Sequence, residues 1–473
     1  MKLVIVVQRY GAEINGGAEL HARYVAEHLS AHADVRVLTT CARDYVTWRN
    51  EWAPGQECVN GIPVERFAVA RERDTIDFRE KSEHLFHDRH SVHDELGWLA
   101  SQGPTSPTLI KRLTRVADEC DFVLLFSVRY SPAFYGARFA AQKAVLVPTA
   151  ERESSLGLSI FPPIFRGVRA IMYNSFEEQA LITALSSNAH VPGVVVGVGS
   201  QIPDAVDPER ARSKFGLHNP FIIYVGRIDA NKGCADLFRH FIEYTDRLGR
   251  PLDLVLIGTP VLPIPEHPRI RHLGFLDDAD KFDALSAADL LIMPSYYESL
   301  SMVALEAWAL GKPVLANGRC EVLRGQCIRS RAGLYYETQA EFVETLKAIA
   351  DGRTLNAALG ANGRAFFNRH YAWPVIEQKY LDMLQRLSDE DVRRVRLQAD
   401  RKLQADLREP GFFAKRRRTL PPANDVLAGL PSGPVIDQVP LQADRGRAEA
   451  DHRPAEAGHY VRDDERGDHA AVS

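Results

Sequence analysis

The sequence predicts an α/β protein built from two doubly wound sheet domains. Three stretches carry that expectation. Residues 3–40 read as strand, helix, strand, the unit from which doubly wound sheets are made. Residues 191–208 (VPGVVVGVGSQIPDAVDP) are rich in Gly and Pro, and strand patterning restarts after them, which marks a domain boundary. Residues 290–316 (LLIMPSYYESLSMVALEAWALGKPVLA) again read as strand, loop, helix, strand.

Taken in order, Leu3–Val7 is a buried strand. Its apolar run looks like a secretory opening, but it is too short for one and Gln8-Arg9-Tyr10 ends it. GAEINGG at 11–17 is a loop. A helix follows to Leu29 with Leu20, Tyr24, Val25 and Leu29 on one face, and Val35–Thr40 is the second strand. A dinucleotide site fails here on two counts. The glycines do not form GxGxxG, and the second strand ends in Thr39-Thr40-Cys41 with no acid for a ribose diol. Gly16 and Gly17 still offer helix-start amides to an anion.

Residues 71–117 interrupt the α/β rhythm and are expected to form a polar helical insertion. They hold His84, His87, His90 and His93 at steps of three. Such positions drift around a helix and no Cys accompanies them, so a solvated or acceptor-facing helix is expected rather than a metal site. Asp121–Ser127 and Ala144–Val147 are further buried strands. Ala170–Asn174 followed by Ser175-Phe176-Glu177-Glu178 reads as strand, N-cap and capping-box helix.

Beyond the hinge, Phe221–Val225 is a strand and GRIDANKG at 226–233 a loop leading into a helix. Arg227 supplies a planar fork and Lys232 a point charge, both suited to a diphosphate at a helix N-terminus. Leu252–Ile257 and Arg269–Leu273 are the next strands. In 290–316, Glu298 sits in the loop before a helix from about Ser301 to Leu310, and Glu306 about one turn inside it. Carboxylates accept paired hydrogen bonds from vicinal hydroxyls, so this pair suits a nucleotide sugar, one holding a hexose and one a ribose. On spacing alone, an ordinary helix carboxylate and an ordinary loop carboxylate are equally good readings.

Composition narrows the field. The 473 residues are 45% hydrophobic and 25% charged, as in a soluble globular protein, and exceed one domain. A net charge of -4 argues against general affinity for nucleic acid or anionic membrane. Six cysteines without a CxxC pair suggest reduced thiols, and no run approaches a membrane span. From about Ser388 the chain turns charged and Arg-rich, LQAD recurs at 397, 403 and 441, and Phe412-Phe413 precedes Lys415-Arg416-Arg417-Arg418. A solvated tail is expected, with residues 420–473 disordered and at most a weak basic contact to a membrane.

The stretch 290–316 resembles the donor-binding segment of retaining glycosyltransferases of family 4, the group 1 glycosyl transferases of GT-B fold. Pro294, Ser295, Glu298, Glu306, Gly311, Pro313 and Val314 match that pattern in order, and GRIDANKG matches the family's Gly-Arg-x-x-x-x-Lys-Gly in full. Where the family has Gly-Phe-Gly after the first Glu, this chain has Ser299-Leu300-Ser301.

The resemblance implies two Rossmann-like domains facing across a cleft. They are an acceptor-side domain 1–190 with its insertion 71–117, a hinge 191–208, and a nucleotide-sugar-binding domain 209–372. A helix 373–387 crosses back onto the first domain, and 388–473 is a tail.

It implies transfer of a sugar from a nucleotide diphosphate sugar to a carbohydrate or lipid-linked acceptor, with retention and without metal or cofactor. Polysaccharide, glycolipid or glycoconjugate synthesis for the cell envelope is the implied setting, in the cytoplasm or peripherally at the inner face of the membrane. A sugar phosphorylase, a nucleotide-sugar epimerase and a binding protein of the same shape stay open beside it.

Arg227, Lys232 and Glu298 are the implied catalytic residues. Gly16, Gly17, Gly226, Gly274, Phe275, Leu300, Ser301, Met302 and Glu306 are implied to bind the donor. Many members carry a His in the loop after the strand equivalent to 144–147. Here the best-placed residue is Glu151, so no catalytic His is carried over, and Glu151 and Glu153 become acceptor-side candidates.

Overall fold

A computed structural model describes residues 1–249, 251–393, 405–409, 411, 413 and 419–433. Two mostly parallel sheets dominate it, each clothed by helices.

The first sheet is formed by β1 (Lys2–Val6), β2 (Asp34–Thr40), β3 (Gly55–Val59), β4 (Ile62–Phe67), β5 (Phe122–Phe126), β6 (Ala144–Val147), β7 (Ala170–Tyr173) and β8 (Gly193–Val195). Its order is β3-β4-β2-β1-β5-β6-β7-β8, and only β3 runs antiparallel to its neighbour. The central strands are buried along most of their length, and all five residues of β5 are apolar and buried. A parallel strand covered by helices on both faces requires that pattern. Each such side chain contributes roughly 1.5–3 kcal/mol by burial. The helices of this half are α1 (Gly17–Leu29), α2 (Thr75–His87), α3 (Val92–Gln102), α4 (Pro107–Glu119), α5 (Ser131–Phe139), α6 (Phe161–Gly167) and α7 (Phe176–Ser186).

The second sheet follows α8 (Pro208–Phe215). It contains β9 (Phe221–Val225), β10 (Asp253–Ile257), β11 (Ile270–His272), β12 (Leu290–Met293), β13 (Val314–Asn317) and β14 (Gly333–Tyr336), in the order β11-β10-β9-β12-β13-β14. Its helices are α9 (Cys234–Leu248), α10 (Asp278–Ala287), α11 (Met302–Ala309), α12 (Glu321–Ser330), α13 (Gln339–Asp351) and α14 (Arg353–His370). In both sheets the strand order reverses beside the first strand, β1 and β9. In open α/β sheets ligands bind at the carboxyl ends of the strands flanking such a point.

The long helix α15 (Trp373–Arg393) then crosses back to α1. Trp373 stacks on His28 at 3.7 Å, Glu377 bonds His28 at 2.6 Å, and Tyr380 meets His21 at 3.3 Å. A second tie joins α7 to α12, where the Arg329 guanidinium donates to Glu177 at 3.0 Å with both side chains buried. No helix among the described residues is long and apolar enough to cross a membrane.

Three expectations need correction. Within the segment read as a hinge, Gly193–Val195 is the edge strand β8, paired with β7. The interruption at 71–117 is only partly an insertion. Its last helix, α4, buries Leu109, Leu113 and Val116 against the first sheet and is the ordinary crossover into β5. Polar residues on its outer face masked that role in the sequence. As the drift of such positions predicts, the four histidines do not share a face: His84 and His87 lie exposed on α2, while His90 lies beyond its end, buried against Glu95 at 3.1 Å.

The tail is the third. α15 runs past residue 387, and beyond it Leu407, Phe413, Ala423 and Leu427 are buried in the core of the first domain, with a short helix at Ala423–Ala428. The apolar residues that dock are single and widely spaced, so no periodic signal announced them. The LQAD copies, Phe412, the basic run 415–418 and residues 434–473 lie outside the described residues.

Candidate active site

The loop after β9 is shaped by its own aspartate. Asp229 accepts a hydrogen bond from the Lys232 backbone at 2.8 Å, a local turn of the kind short polar side chains make, and pairs with the Arg227 guanidinium. Tyr224 reaches from β9 to bond the Arg227 carbonyl at 2.7 Å. Gly233 closes the loop with φ 71°, and a Cβ there would collide with the Pro294 carbonyl. Only glycine lets this backbone lie against the end of β12. Asn317, at the end of β13, donates to the same carbonyl at 3.0 Å. Three strand ends are thus tied at one point.

Lys232 and Glu298 meet there. The ammonium donates to Glu298 at 2.7 Å. Burial pulls the Lys232 pKa down, but Glu298 and Glu151 more than offset it, so it titrates above its ordinary value and stays charged at neutral pH. Burial also acts against the Arg227 charge, and Asp229 again outweighs it. Arg227 further donates to the hydroxyl of Tyr45 from the first domain, and its guanidinium sits over that ring at 5.5 Å. Arg9 covers the same ring at 5.4 Å and is held by Glu19 at 2.7 Å.

Serine in place of glycine after Glu298 costs the loop nothing visible. None of residues 294–301 adopts a left-handed φ. Ser301 is extended, at φ -95°, and its hydroxyl caps α11 by accepting from Ala304. Leu300 is buried and Met302 half-buried at the start of that helix. Glu306, 4% exposed, faces Lys281 at 3.3 Å; its second oxygen, Oε2, has no protein partner. Burial raises its pKa and Lys281 lowers it, with burial the larger. Glu306 forms no pair with Lys232 or Glu298, so the two carboxylates occupy separate places along one helix start.

The other expected residues fall as follows. Gly17 opens α1 with free space where a side chain would begin, whereas a Cβ on Gly16 would collide with Glu19. Gly226 and Gly274 both have positive φ, and Phe275 is 66% exposed just after β11. On the first domain, Glu153 is occupied: it receives Arg129 at 2.6 Å and Ser155 at 2.8 Å. Glu151 is different. Burial, then the Glu153 charge, push its pKa up to about 7, while Arg129 and Lys232 pull the other way and Glu298 adds to the rise. It therefore lies within electrostatic reach of the Lys232–Glu298 pair.

Sequence reasoning missed Asp229, Lys281, Asn317, Tyr45 and Arg9. Asp229 was readable as an Asx turn inside GRIDANKG. The other four gain meaning only from partners far along the chain.

Residues 219–351 match the family model described as Glycosyl transferases group 1. The 2-deoxystreptamine glucosyltransferase of Streptomyces kanamyceticus is 32% identical over 175 residues, 32% of this chain and 44% of that protein. The D-inositol 3-phosphate glycosyltransferase of Corynebacterium glutamicum strain R is 32% identical over 124 residues, 23% of this chain and 30% of that protein. The chain thus matches less than half the length of these relatives.

Among solved structures, sucrose-phosphate synthase from Thermosynechococcus elongatus superposes with a TM-score of 0.59 at 15% identity, over 82% of this chain and 99% of that one. HepE of Anabaena, solved with UDP-glucose, gives 0.58 at 17%, over 81% and 99%. Such identities speak to fold alone. The chain has the GT-B fold, and in residues 219–351, which hold Arg227, Lys232, Glu298 and Glu306, its sequence is similar to that of the group 1 glycosyl transferases.

Proposed function

We propose that the protein transfers a sugar from a nucleoside diphosphate sugar to an acceptor hydroxyl with retention of anomeric configuration, in glycan or glycoconjugate synthesis. The observation that carries this reading is the convergence of Arg227, Lys232 and Glu298 where β9 and β12 end, beside the reversal of strand order. The match over 219–351 supports it, and so does the UDP-glucose bound by HepE.

In this reading Arg227 and Lys232 stabilise the charge that builds on the leaving diphosphate, an electrostatic contribution in a partly buried site. As folded, each cation already has a carboxylate partner. A diphosphate that engages Lys232 releases Glu298, whose oxygens then accept from sugar hydroxyls. Glu306, with one oxygen unpartnered, takes the ribose diol. Gly16, Gly17, Gly226, Gly274 and Phe275 border the donor, and Glu151 faces the acceptor. These residues supply charge stabilisation and positioning, so the reaction is proposed to need no metal.

The matched segment lies in the donor half, so the relatives' acceptors are not carried over. The test is release of nucleoside diphosphate from a panel of UDP, GDP, ADP and dTDP sugars, with and without free saccharides, in the presence and absence of EDTA. Acceptor-stimulated release unaffected by EDTA, and a product whose anomeric proton coupling matches the donor, is expected. Sugar 1-phosphate formed from inorganic phosphate, or a donor epimerised without release, would contradict the reading.

A further inference from the structure

The described residues beyond α15 return to the first domain along a defined path. The Leu407 carbonyl accepts from Arg138 at 3.0 Å. Phe413 stacks on Phe134 at 5.7 Å. Leu420 exchanges backbone hydrogen bonds with His90, at 2.9 and 3.4 Å. Ala423 packs so closely on Gly157 that a side chain on that glycine would strike its carbonyl. Arg152 then holds the end of the segment, donating to the Pro431 carbonyl at 2.9 Å and the Leu427 carbonyl at 3.4 Å. The same guanidinium reaches Glu321 of the second domain at 3.6 Å. The segment is therefore fastened at the junction of the two domains.

A cavity of about 370 Å³ opens beside it. Its polar walls come from three places: Arg152 and Ser154 on the first domain, Tyr297 and Glu321 on the second, and Asn424 and Ser432 on the returning segment. Arg152 follows Glu151 and Tyr297 precedes Glu298 in the chain, so the cavity is lined by the chain neighbours of two carboxylates that influence one another electrostatically.

We infer that the returning segment 419–433 forms one wall of the acceptor site, and that this cavity takes a polyhydroxylated saccharide acceptor. Its volume is at the lower end of those that hold small molecules. Carboxylate, amide, hydroxyl and guanidinium groups offer both donors and acceptors to a ring of hydroxyls. Tyr297, 43% exposed, presents an amphipathic ring to a sugar face. The inference rests on the transferase reading, and it makes residues after the crossover helix determinants of acceptor choice.

The experiment uses the full chain with the donor and saccharide found productive in the panel above. Ala428→Trp and Asn424→Trp fill the cavity from the segment's side, and Asn424→Ala removes one polar wall group without adding bulk. Asp425→Ala, exposed and outside the lining, is the control. The expected result is an acceptor KM raised tenfold or more by each Trp variant and severalfold by Asn424→Ala. The nucleoside diphosphate Kd, the slow donor hydrolysis without acceptor and the melting temperature should stay within a factor or degree of wild type. Unchanged acceptor KM in Asn424→Ala and in every Trp variant that keeps its melting temperature would overturn the inference while leaving the transferase reading intact. A wild-type protein that hydrolyses no donor and transfers no sugar would overturn the reading itself. A productive acceptor that is lipid-linked, with no saccharide turned over, would overturn the choice of occupant.

Discussion

The two halves of the cleft are built in different ways. On the second domain, Arg227, Asp229, Lys232 and Gly233 fall within one short loop, and Glu298 and Glu306 within one loop and helix start. On the first, Arg9 pairs with Glu19, Tyr45 lies beneath two arginines from different domains, and Glu153 is held by Arg129. The second domain's side is a local construction; the first domain's side is assembled from distant segments. A local construction constrains residue types at fixed spacings. An assembled one leaves them free to differ.

The comparison breaks most sharply in turnover. Lys232→Ala and Arg227→Ala should each lower kcat about a hundredfold or more, since each removes a stabiliser of developing charge. Steady-state rates with folded variants check this. Normal rates in both would place the diphosphate elsewhere.

The junction between the halves gives the next effect. Arg329 and Glu177 are paired and buried between α12 and α7. Arg329→Ala leaves an uncompensated buried carboxylate and should cost about 3–5 kcal/mol of stability by denaturant unfolding, whereas Arg329→Met with Glu177→Leu should recover most of it. A loss from the double variant as large as from the single one would show that packing, not charge, ties the halves.

A smaller effect isolates the first domain's side. Burial and then Glu153 hold the Glu151 carboxyl at about 7, against an ordinary value of 4.5. Folding favours its protonated form, so the stability it contributes is full below about 4.5 and drains away as the pH rises through about 7. Glu151→Gln keeps the neutral form. Its melting temperature should match wild type at pH 4.5 and exceed it at pH 8. Equal melting temperatures at both would mean that the carboxylate is well solvated.

This contrast also explains what the sequence told. The doubly wound sheets were legible because parallel strands buried on both faces must be apolar throughout, as Phe122–Phe126 is. GRIDANKG was legible because loop, charge and helix start are contiguous. The roles of the serines after Glu298 were not, since capping by Ser301 depends on a φ that the sequence leaves open. Lys281 and Tyr45 were invisible, each being one polar residue among many until the fold brings it to Glu306 or Arg227. The docking of Leu407, Phe413, Ala423 and Leu427 escaped notice for the same reason: four buried apolar residues spread over a charged stretch have no period.

In the proposed reading Glu306 holds the nucleoside of the donor and Glu298 its sugar. Calorimetric titration of Glu298→Gln and Glu306→Gln, each with the nucleoside diphosphate and with its sugar, tests it most directly. Glu306→Gln should weaken both ligands by a similar factor. Glu298→Gln should leave the nucleoside diphosphate bound at least as tightly as in wild type, since the carboxylate it displaces from Lys232 is gone, while lowering kcat about ten- to a thousandfold, the mark of a contact that tightens in the transition state. Equal loss of nucleoside diphosphate in both variants would contradict the claim and reduce the pair to a shared support for the loop.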